Sequence, residues 1–380
     1  MSPRRTFLQF ASSEVDADIL YGSGFFAYDP FVYIEHRGRS VLVVADFECD
    51  RARAESKADS VWPAGVLAAG DARRRRTRNP DLTPAGLCAA ALYKLKIRRV
   101  SVPEQFPLGI AQKLERAGFT LRVLKQPAYP RRLIKTEAEI RAVVEVQRQV
   151  ERAMQAAEAM LRRSRAVRGR LVLAGKTVTA GDLRRVINLT LMERGIVAAQ
   201  TVVAPGDQAV DPHNLGSGPI RPGQPVVIDI FPRSSGSHYF ADMTRTIVKG
   251  RPSAELARQY QAVLQAQKLG LSMIKPGVAV RTVHRAIMDF FVRLGYATGE
   301  IDGRFQGFTH STGHGVGLEI HEPPKVGLVS PSVRFRKGML VTVEPGLYYL
   351  GTGGVRIEDL VLVTDRGIRN LTRYPKRLTI

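Results

Sequence analysis

The alternation of apolar and polar residues divides the chain into two regions. In the first, short β-branched runs alternate with longer helix-like stretches. The predicted strands are residues 31–34, 40–44, 99–102 and 120–124, and the predicted helices are residues 85–94 and 108–117. Strands that alternate with helices favour a three-layer α/β domain. A Tyr-Pro-Arg-Arg stretch at 129–132 predicts a boundary, so we expect domains at residues 1–130 and 131–380.

Helical periodicity dominates the second region. Thr136 and Glu139 form a capping-box pattern, and apolar residues then recur every three or four positions as far as residue 157. Further helices are predicted at residues 181–193, 254–275 and 280–294. The last of these contains His284, which we expect to be a core or interface histidine.

Two carboxylates lie in a predicted hairpin of this region. Residues 226–230 and 244–248 have the β-branched character of buried strands, with a turn-rich patch at 233–237 between them. Asp229 lies on one arm and Asp242 on the other. Burying an unpaired carboxylate costs several kcal/mol. Either one Asp therefore faces water while the other starts a turn, or a cation lies between them.

Other ionisable residues lie beside apolar strands. Glu344 ends the apolar run 339–343, and Glu358 is predicted to lie within a further strand. Residues 307–324 are rich in glycine, which lets a backbone approach a ligand closely. This segment contains three histidines, His310, His314 and His321.

The carboxylates and one glycine-flanked histidine together suggest a metal centre. Four buried acids cannot share a dry site without compensating charge, and two divalent cations would supply it. Oxygen-rich ligation with one imidazole suits Mn²⁺ and permits Co²⁺, Fe²⁺ or Zn²⁺. Two such ions form a hydrolytic centre in many enzymes. The acids are Asp229, Asp242, Glu344 and Glu358.

Composition changes this interpretation little. The chain has 380 residues, 44% of them hydrophobic, and a net charge of +22. The positive charge is scattered, and its one dense run, residues 73–76, has no interleaved aromatic residues for base stacking. We predict a solvated loop there and no specific nucleic-acid partner. Cys49 and Cys88 are expected to be small core residues.

No apolar run reaches the roughly 18 residues that cross a bilayer, so no membrane partner is expected. Arg4 and Arg5 resemble the start of a twin-arginine export signal, but polar residues follow where the apolar stretch should be. We therefore expect an uncleaved N-terminus and a cytoplasmic protein.

The motifs of the second region resemble those of the pita-bread metallopeptidases, specifically the proline-specific Xaa-Pro aminopeptidases and Xaa-Pro dipeptidases (prolidases). Residues 19–35 resemble the creatinase-type N-terminal domain, and residues 132–140 resemble its linker. The resemblance implies an α/β N-terminal creatinase-like domain (1–130) plus an α+β pita-bread catalytic domain (131–380). The motifs are Asp-x-Thr-Arg-Thr at 242–246, Gly-His-Gly-x-Gly with His-Glu at 313–322, Glu-Pro-Gly at 344–346 and Arg-Ile-Glu-Asp at 356–359.

The resemblance also implies a role for each site residue. Asp229 chelates one metal, Asp242 and Glu358 bridge both metals, and His314 and Glu344 bind the other. Glu344 in addition moves the proton to the leaving nitrogen. By the same resemblance, His321 stabilises the oxyanion, His213 holds the scissile amide and His310 forms the rim of the proline pocket. Arg356 either contacts the substrate or neutralises the acids.

Two departures from the family pattern concern the loops. Asp229 and Asp242 are separated by a longer stretch than is usual in the family, which predicts an insertion at 232–238. Ser311 stands where glycine is common. Both departures leave the ligand positions filled.

Several functions remain open on the sequence. We favour an Xaa-Pro aminopeptidase over an Xaa-Pro dipeptidase, because no extra basic residue beside the Gly-His-Gly motif would bind a substrate C-terminus. A homodimer is expected. A creatine amidinohydrolase-like enzyme or a binding module should lack the metal ligands. A methionine aminopeptidase should lack the N-terminal domain.

Overall fold

The computed structural model describes residues 6–124, 128–198, 200–328 and 333–380. The chain divides into two compact units, Met1–Pro130 and Arg131–Ile380. Arg4 and Arg5, considered above as an export signal, lie outside the described residues. No helix in the described part of the chain is long and apolar enough to cross a membrane.

The first unit is built on a mixed six-stranded sheet in the order β4-β3-β2-β1-β5-β6. Strand β2 pairs antiparallel with both β1 and β3, and β4, β5 and β6 join the sheet in parallel with their neighbours. The strands are β1 (Thr6–Ala11), β2 (Phe31–His36), β3 (Arg39–Val44), β4 (Ser60–Pro63), β5 (Arg99–Val102) and β6 (Thr120–Val123); the helices are α1 (Ala17–Ser23), α2 (Cys49–Glu55), α3 (Ala64–Arg75), α4 (Pro84–Lys94) and α5 (Leu108–Arg116).

Successive strand residues point to opposite faces of this sheet, and helices cover both. Leu8 packs in one hydrophobic cluster with α3, α4 and α5, whereas its neighbour Phe7 packs in another with α1 and α2. Cys88 belongs to the first cluster and Cys49 to the second, and both are free and buried. The predicted three-layer arrangement and the predicted core cysteines are confirmed.

The predicted loop at the arginine run is wrong. Arg73, Arg74 and Arg75 form the last turn of α3, and only Arg76 follows the helix. Arginine has a high helix propensity, and positive charge near a helix C-terminus interacts favourably with the helix dipole. The side chains are exposed, as predicted.

The second unit contains a three-stranded sheet, β11-β12-β14, and a five-stranded sheet, β18-β17-β19-β22-β23. Its helices are α6 (Glu137–Arg163), α7 (Ala180–Met192), α8 (Ala254–Met273) and α9 (Val280–Arg293). Its strands are β7 (Arg165–Val167), β8 (Arg170–Leu173), β9 (Lys176–Thr177), β10 (Ile196–Val197), β11 (Val202–Pro205), β12 (Pro225–Ile230), β13 (Arg233–Ser234), β14 (Met243–Val248), β15 (Gly299–Ile301), β16 (Arg304–Gln306), β17 (Gly313–Gly315), β18 (Glu322–Val326), β19 (Leu340–Val343), β20 (Gly346–Tyr349), β21 (Gly353–Arg356), β22 (Asp359–Val363) and β23 (Ile368–Asn370).

Two pairs of helices pack on these strands. Helices α6 and α7 share a cluster with Leu340, whereas α8 and α9 share another with Val341 and Val343 of the same strand. The predicted capping box at the start of α6 is confirmed, because Thr136 and Glu139 each accept from the other's backbone N–H. The strands that carry the candidate ligands therefore lie between two helical layers.

Candidate metal centre

The hairpin formed by β12 and β14 holds two of the candidate acids. Asp229 lies in β12, opposite Thr244. Asp242 directly precedes β14, and its backbone N–H donates to Gln147 Oε1 at 3.2 Å. At the tip, β13 pairs with β10 and so occupies part of the predicted insertion. The predicted placement of one acid on each arm is therefore confirmed.

The other candidate ligands come from the five-stranded sheet and its connection. His314 is the central residue of β17, and Glu344 directly follows β19. Glu358 was predicted to lie within a strand, and this is wrong: it lies in a two-residue break between β21 and β22. Its backbone N–H bonds Thr244 O at 3.1 Å instead of joining a regular ladder. The break frees Glu358 from strand geometry beside β14.

A glycine brings β17 close to β19. A Cβ on Gly313 would lie 2.1 Å from the carbonyl oxygen of Thr342, so a larger residue would push these strands apart. The backbone N–H of His314 donates to Thr342 Oγ1 at 3.0 Å. The glycine therefore serves strand packing, which sets His314 beside Glu344 at the end of β19.

The ligand atoms converge in one buried place. His314 Nε2 lies 3.2 Å from Glu344 Oε1 and 3.6 Å from Asp242 Oδ2. Asp242, His314 and Glu358 each offer a ligand atom, and these atoms lie within 4.8 Å of one another. Thr244 Oγ1 donates to Glu358 Oε2 at 2.7 Å and so orients that carboxylate.

Unpartnered oxygens test whether these residues fit a metal. Within the described ranges, three buried carboxylate oxygens have no hydrogen-bond partner. A buried polar atom without a partner is costly, and a divalent cation would satisfy several at once. Carboxylate oxygens with one imidazole are also a donor set that first-row divalent metals accept. The residues therefore fit a metal centre. The three oxygens are Asp229 Oδ1, Asp242 Oδ1 and Glu358 Oε1.

The protonation of the cluster supports this fit. Burial, followed by Glu358, raises the pKa of Asp242 well above its usual range, and burial with nearby Glu344 raises the pKa of Glu358 to about 8. Burial opposes the charged form of Glu344, but the hydrogen bond with His314 lowers its pKa to about 2. Burial also opposes charge on His314, but Glu344 raises its pKa to about 9. The protein groups alone thus hold protons at neutral pH that bound metal would displace.

Arg356 lies against the acids. It is 4% exposed, and its Nη2 donates to Asp229 Oδ2 at 2.6 Å. Its Nε donates to Thr244 Oγ1 at 3.1 Å, and its Nη1 donates to Tyr348 Oη at 3.0 Å. The guanidinium thus pairs with Oδ2 of Asp229 and leaves the other carboxylate oxygen, Oδ1, available to a further ligand.

Two of the three candidate histidines, His310 and His321, contact the cluster of ligand residues. His310 Nε2 lies 2.7 Å from Tyr348 Oη, and its Nδ1 lies 3.9 Å from Glu344 Oε2. The ring of His321 packs edge-on against His314, with centroids 4.4 Å apart. His213 is exposed after β11. Burial lowers the pKa values of His310 and His321, and a smaller lowering of each comes from His213 nearby.

Some of the residues around the site could not be identified from the sequence. Tyr348 links His310 to Arg356 through its hydroxyl group, yet in the sequence it is one of two adjacent tyrosines without a motif. Only the general need of a buried tyrosine hydroxyl for a partner could have signalled it. His284 is a satisfied core histidine, as predicted: its Nδ1 lies 3.0 Å from Thr312 Oγ1.

The sequence profile of metallopeptidase family M24 matches residues 141–365. The match spans more than half of the chain, so this chain belongs to metallopeptidase family M24. The family resemblance inferred from the motifs is confirmed.

A curated relative shares part of this region. Over 182 aligned residues the chain is 39% identical to the Xaa-Pro dipeptidase of Pyrococcus horikoshii. The alignment covers 48% of this chain and 49% of the relative. The chain thus matches about half the length of that relative.

Solved structures match nearly the whole chain. The prolidase of Pyrococcus horikoshii superposes with a TM-score of 0.79 at 26% identity, covering 99% of this chain and 95% of that one. The X-Pro aminopeptidase of Thermotoga maritima superposes with a TM-score of 0.80, covering 99% and 98% of the two chains; at 24% identity this likeness shows the fold alone. The predicted α/β domain plus α+β pita-bread domain is therefore confirmed as the fold.

Proposed function

We propose that this chain is a dinuclear-metal, proline-specific exopeptidase that hydrolyses the Xaa-Pro bond at the N-terminus of short peptides. The observation that carries the proposal is the convergence of buried acids and one imidazole in a chain of family M24, with three carboxylate oxygens left unpartnered in the described residues. Asp229, Asp242, His314, Glu344 and Glu358 would hold two divalent cations, Mn²⁺ by preference. A cytoplasmic homodimer is part of the same proposal.

The bound metals would supply Lewis acidity and a water of lowered pKa. The chain itself supplies the proton transfer. Glu344 lies between His314 and His310, at 3.2 and 3.9 Å, where its carboxylate can take a proton from water and deliver it to the leaving proline nitrogen. Thr342 Oγ1, 3.2 Å from Glu344 Oε1, holds that carboxylate in place.

Three histidines face the substrate side in this proposal. His321 stabilises the negative charge that develops on the carbonyl oxygen, His213 holds the scissile amide, and His310 forms the rim of the proline pocket. The hydrogen bond between His310 and Tyr348 at 2.7 Å fixes the direction of the rim. Proline has no N–H and a fixed φ, so a rigid pocket favours it over flexible residues.

Arg356 is assigned to positioning rather than to substrate binding. Each of its three nitrogens donates to a protein oxygen, so the guanidinium is already engaged without a substrate carboxylate. This supports cleavage of peptides that extend beyond proline. The names of the relatives, an Xaa-Pro dipeptidase and a prolidase, favour dipeptides as the second candidate substrates.

Metal removal tests the proposal most directly. Protein stripped by chelation and shown to be metal-free by elemental analysis should lose hydrolysis of Xaa-Pro peptides, and Mn²⁺ or Co²⁺ should restore it. Matched Xaa-Ala peptides are the control and should remain uncleaved. Full turnover by metal-free protein, or equal turnover of Xaa-Ala peptides, would contradict the proposal.

The same assay decides substrate length. Under the aminopeptidase assignment, Xaa-Pro-Yaa tripeptides should match or exceed Xaa-Pro dipeptides in kcat/KM. A kcat/KM for Xaa-Pro dipeptides well above that for Xaa-Pro-Yaa tripeptides would make the protein an Xaa-Pro dipeptidase. In that case Arg356→Ala should raise KM for dipeptides far more than for tripeptides.

A further inference from the structure

A buried ion-pair cluster lies in the second unit beside the candidate metal centre. Glu322 is 5% exposed, and its carboxylate accepts hydrogen bonds from Arg132 Nη2 and Lys135 Nζ, each at 2.6 Å. Both cations are themselves buried, and Lys135 Nζ also donates to the carbonyl of Arg132 at 2.6 Å. Desolvating three charges is costly, so this cluster imposes a specific arrangement on the segments it joins.

The Glu322 carboxylate also closes the turn that carries His321. Its Oε1 accepts from the backbone N–H groups of Leu318 at 2.9 Å and Glu319 at 3.3 Å. A Cβ on Gly317 would lie 2.6 Å from the same carboxylate oxygens, so glycine makes room for this contact. The turn contains no helix or strand, and its shape therefore depends on these hydrogen bonds.

The position of His321 depends on that turn. Among the residues that the structure describes, its ring contacts one other ring, that of His314, edge-on with an interplanar angle of 82°. In the described ranges of the chain, no hydrogen bond restrains the His321 ring. A single ring contact holds the side chain weakly, so the position of the ring depends on the backbone of the turn next to Glu322.

We propose that Glu322, held by Arg132 and Lys135, is a positioning residue that directs His321 toward the carbonyl oxygen of the substrate. This inference rests on the proposed peptidase function, because the oxyanion defines the direction that matters. Glu322 does not touch the substrate; it acts through the turn from Gly317 to His321. Burial opposes the charged form of Glu322, but Lys135 and Arg132 keep the pKa of its carboxyl below its usual range, so the ion pairs persist at neutral pH.

The test compares two Glu→Gln changes on the same arginine. Glu319 also binds Arg132 Nη2 at 2.6 Å, but its side chain is 50% exposed. Glu322→Gln should lower kcat on an Xaa-Pro peptide by about tenfold to 10²-fold, the scale of a misplaced catalytic group, while KM changes less than about twofold. Glu319→Gln should leave both parameters near wild type.

A readout independent of turnover accompanies the kinetics. The imidazole NMR resonance of His321, assigned with His321→Asn, should shift in metal-free Glu322→Gln and stay in place in metal-free Glu319→Gln. Glu322→Asp, which keeps the charge, should show an intermediate loss of kcat. Should Glu322→Gln fail to fold, the charge-balanced Lys135→Met/Glu322→Gln variant takes its place.

The outcomes separate the two proposals. A wild type that cleaves no Xaa-Pro peptide overturns the proposed function, whereas the His321 resonance still reports on the turn. An active wild type whose folded Glu322 variants keep kcat within about twofold of Glu319→Gln, with an unmoved His321 resonance, overturns the positioning role. Failure of Glu322→Asp and the charge-balanced variant to fold would also overturn it, by showing a purely structural cluster.

Discussion

Buried acids have different hydrogen-bond partners in the two units. In the first unit, Glu35 is 8% exposed and accepts hydrogen bonds from the hydroxyl groups of Tyr33 at 2.9 Å and Tyr129 at 2.7 Å. Its charge is met by neutral donors. In the second unit, Asp242 and Glu358 are buried beside other acids, and each has one unpartnered oxygen among the described residues.

The difference separates an acid that is satisfied within the protein from the acids that we propose bind metal. A carboxylate that accepts strong hydrogen bonds is satisfied within the protein. Carboxylates that crowd together with free lone pairs require protons or cations from outside. On this basis, changes to acids in the second unit should alter metal binding and catalysis, whereas changes in the first unit should alter stability alone.

The largest effect is expected at Glu344. Glu344→Gln keeps the size of the side chain but removes the group that carries the proton, so kcat should fall by about 10²–10⁴-fold, the usual contribution of a general acid–base group. Steady-state kinetics with metal analysis of each variant is the measurement. Asp365→Asn is the control, since Asp365 forms an exposed ion pair with Lys337 at 2.8 Å. Near-wild-type turnover by metal-loaded Glu344→Gln would remove this residue from proton transfer.

The sequence points to the candidate ligands because an acid inside an apolar strand is conspicuous. Asp229 is such a residue, and its strand β12 was predicted almost to its ends. Glu358 was recognised by the same signal, although its backbone leaves the ladder. A local pattern therefore predicts which acids are buried together better than it predicts the backbone that carries them.

Contacts between distant segments could not be predicted in this way. Lys135 and Glu322 are 187 positions apart, and no periodicity relates them. The links from Tyr348 to His310 and Arg356 likewise depend on how strands pack, not on any local pattern. The misassigned helix end at Arg73 shows the opposite error, because a charge run was given more weight than helix propensity.

A smaller effect is expected from His284, whose buried ring is uncharged in the folded chain. Burial, with a smaller effect of His310, lowers its pKa from 6.5 to about 4. Between these values the unfolded chain binds a proton that the folded chain does not, so stability falls as pH falls through this window. The pKa difference corresponds to a loss on the order of 3 kcal/mol on acidification from pH 6.5 to 4.

Urea unfolding of wild type and His284→Gln across this pH range measures the effect. The variant should show a flatter dependence of unfolding free energy on pH. Subtracting the two curves removes the contribution of the acids in the metal centre, which titrate in both proteins. Parallel curves would show that His284 is protonated in the folded chain.

The smallest effect is expected from Glu35→Gln, which replaces the charged acceptor of the first unit with a neutral one of the same shape. Hydrogen bonds to a charged group are worth about 1 kcal/mol more than neutral ones, so unfolding free energy should fall by about 1–2 kcal/mol. Tyr33 and Tyr129 can donate to the amide oxygen in place of the carboxylate, so the local structure should be kept. Metal content and kcat should stay at the wild-type level, because Glu35 is not one of the candidate ligands. Glu104→Gln, at an exposed position, is the control and should change neither quantity. A loss of bound metal in Glu35→Gln would break the contrast between the units, since it would give the buried acid of the first unit a part in the chemistry of the second.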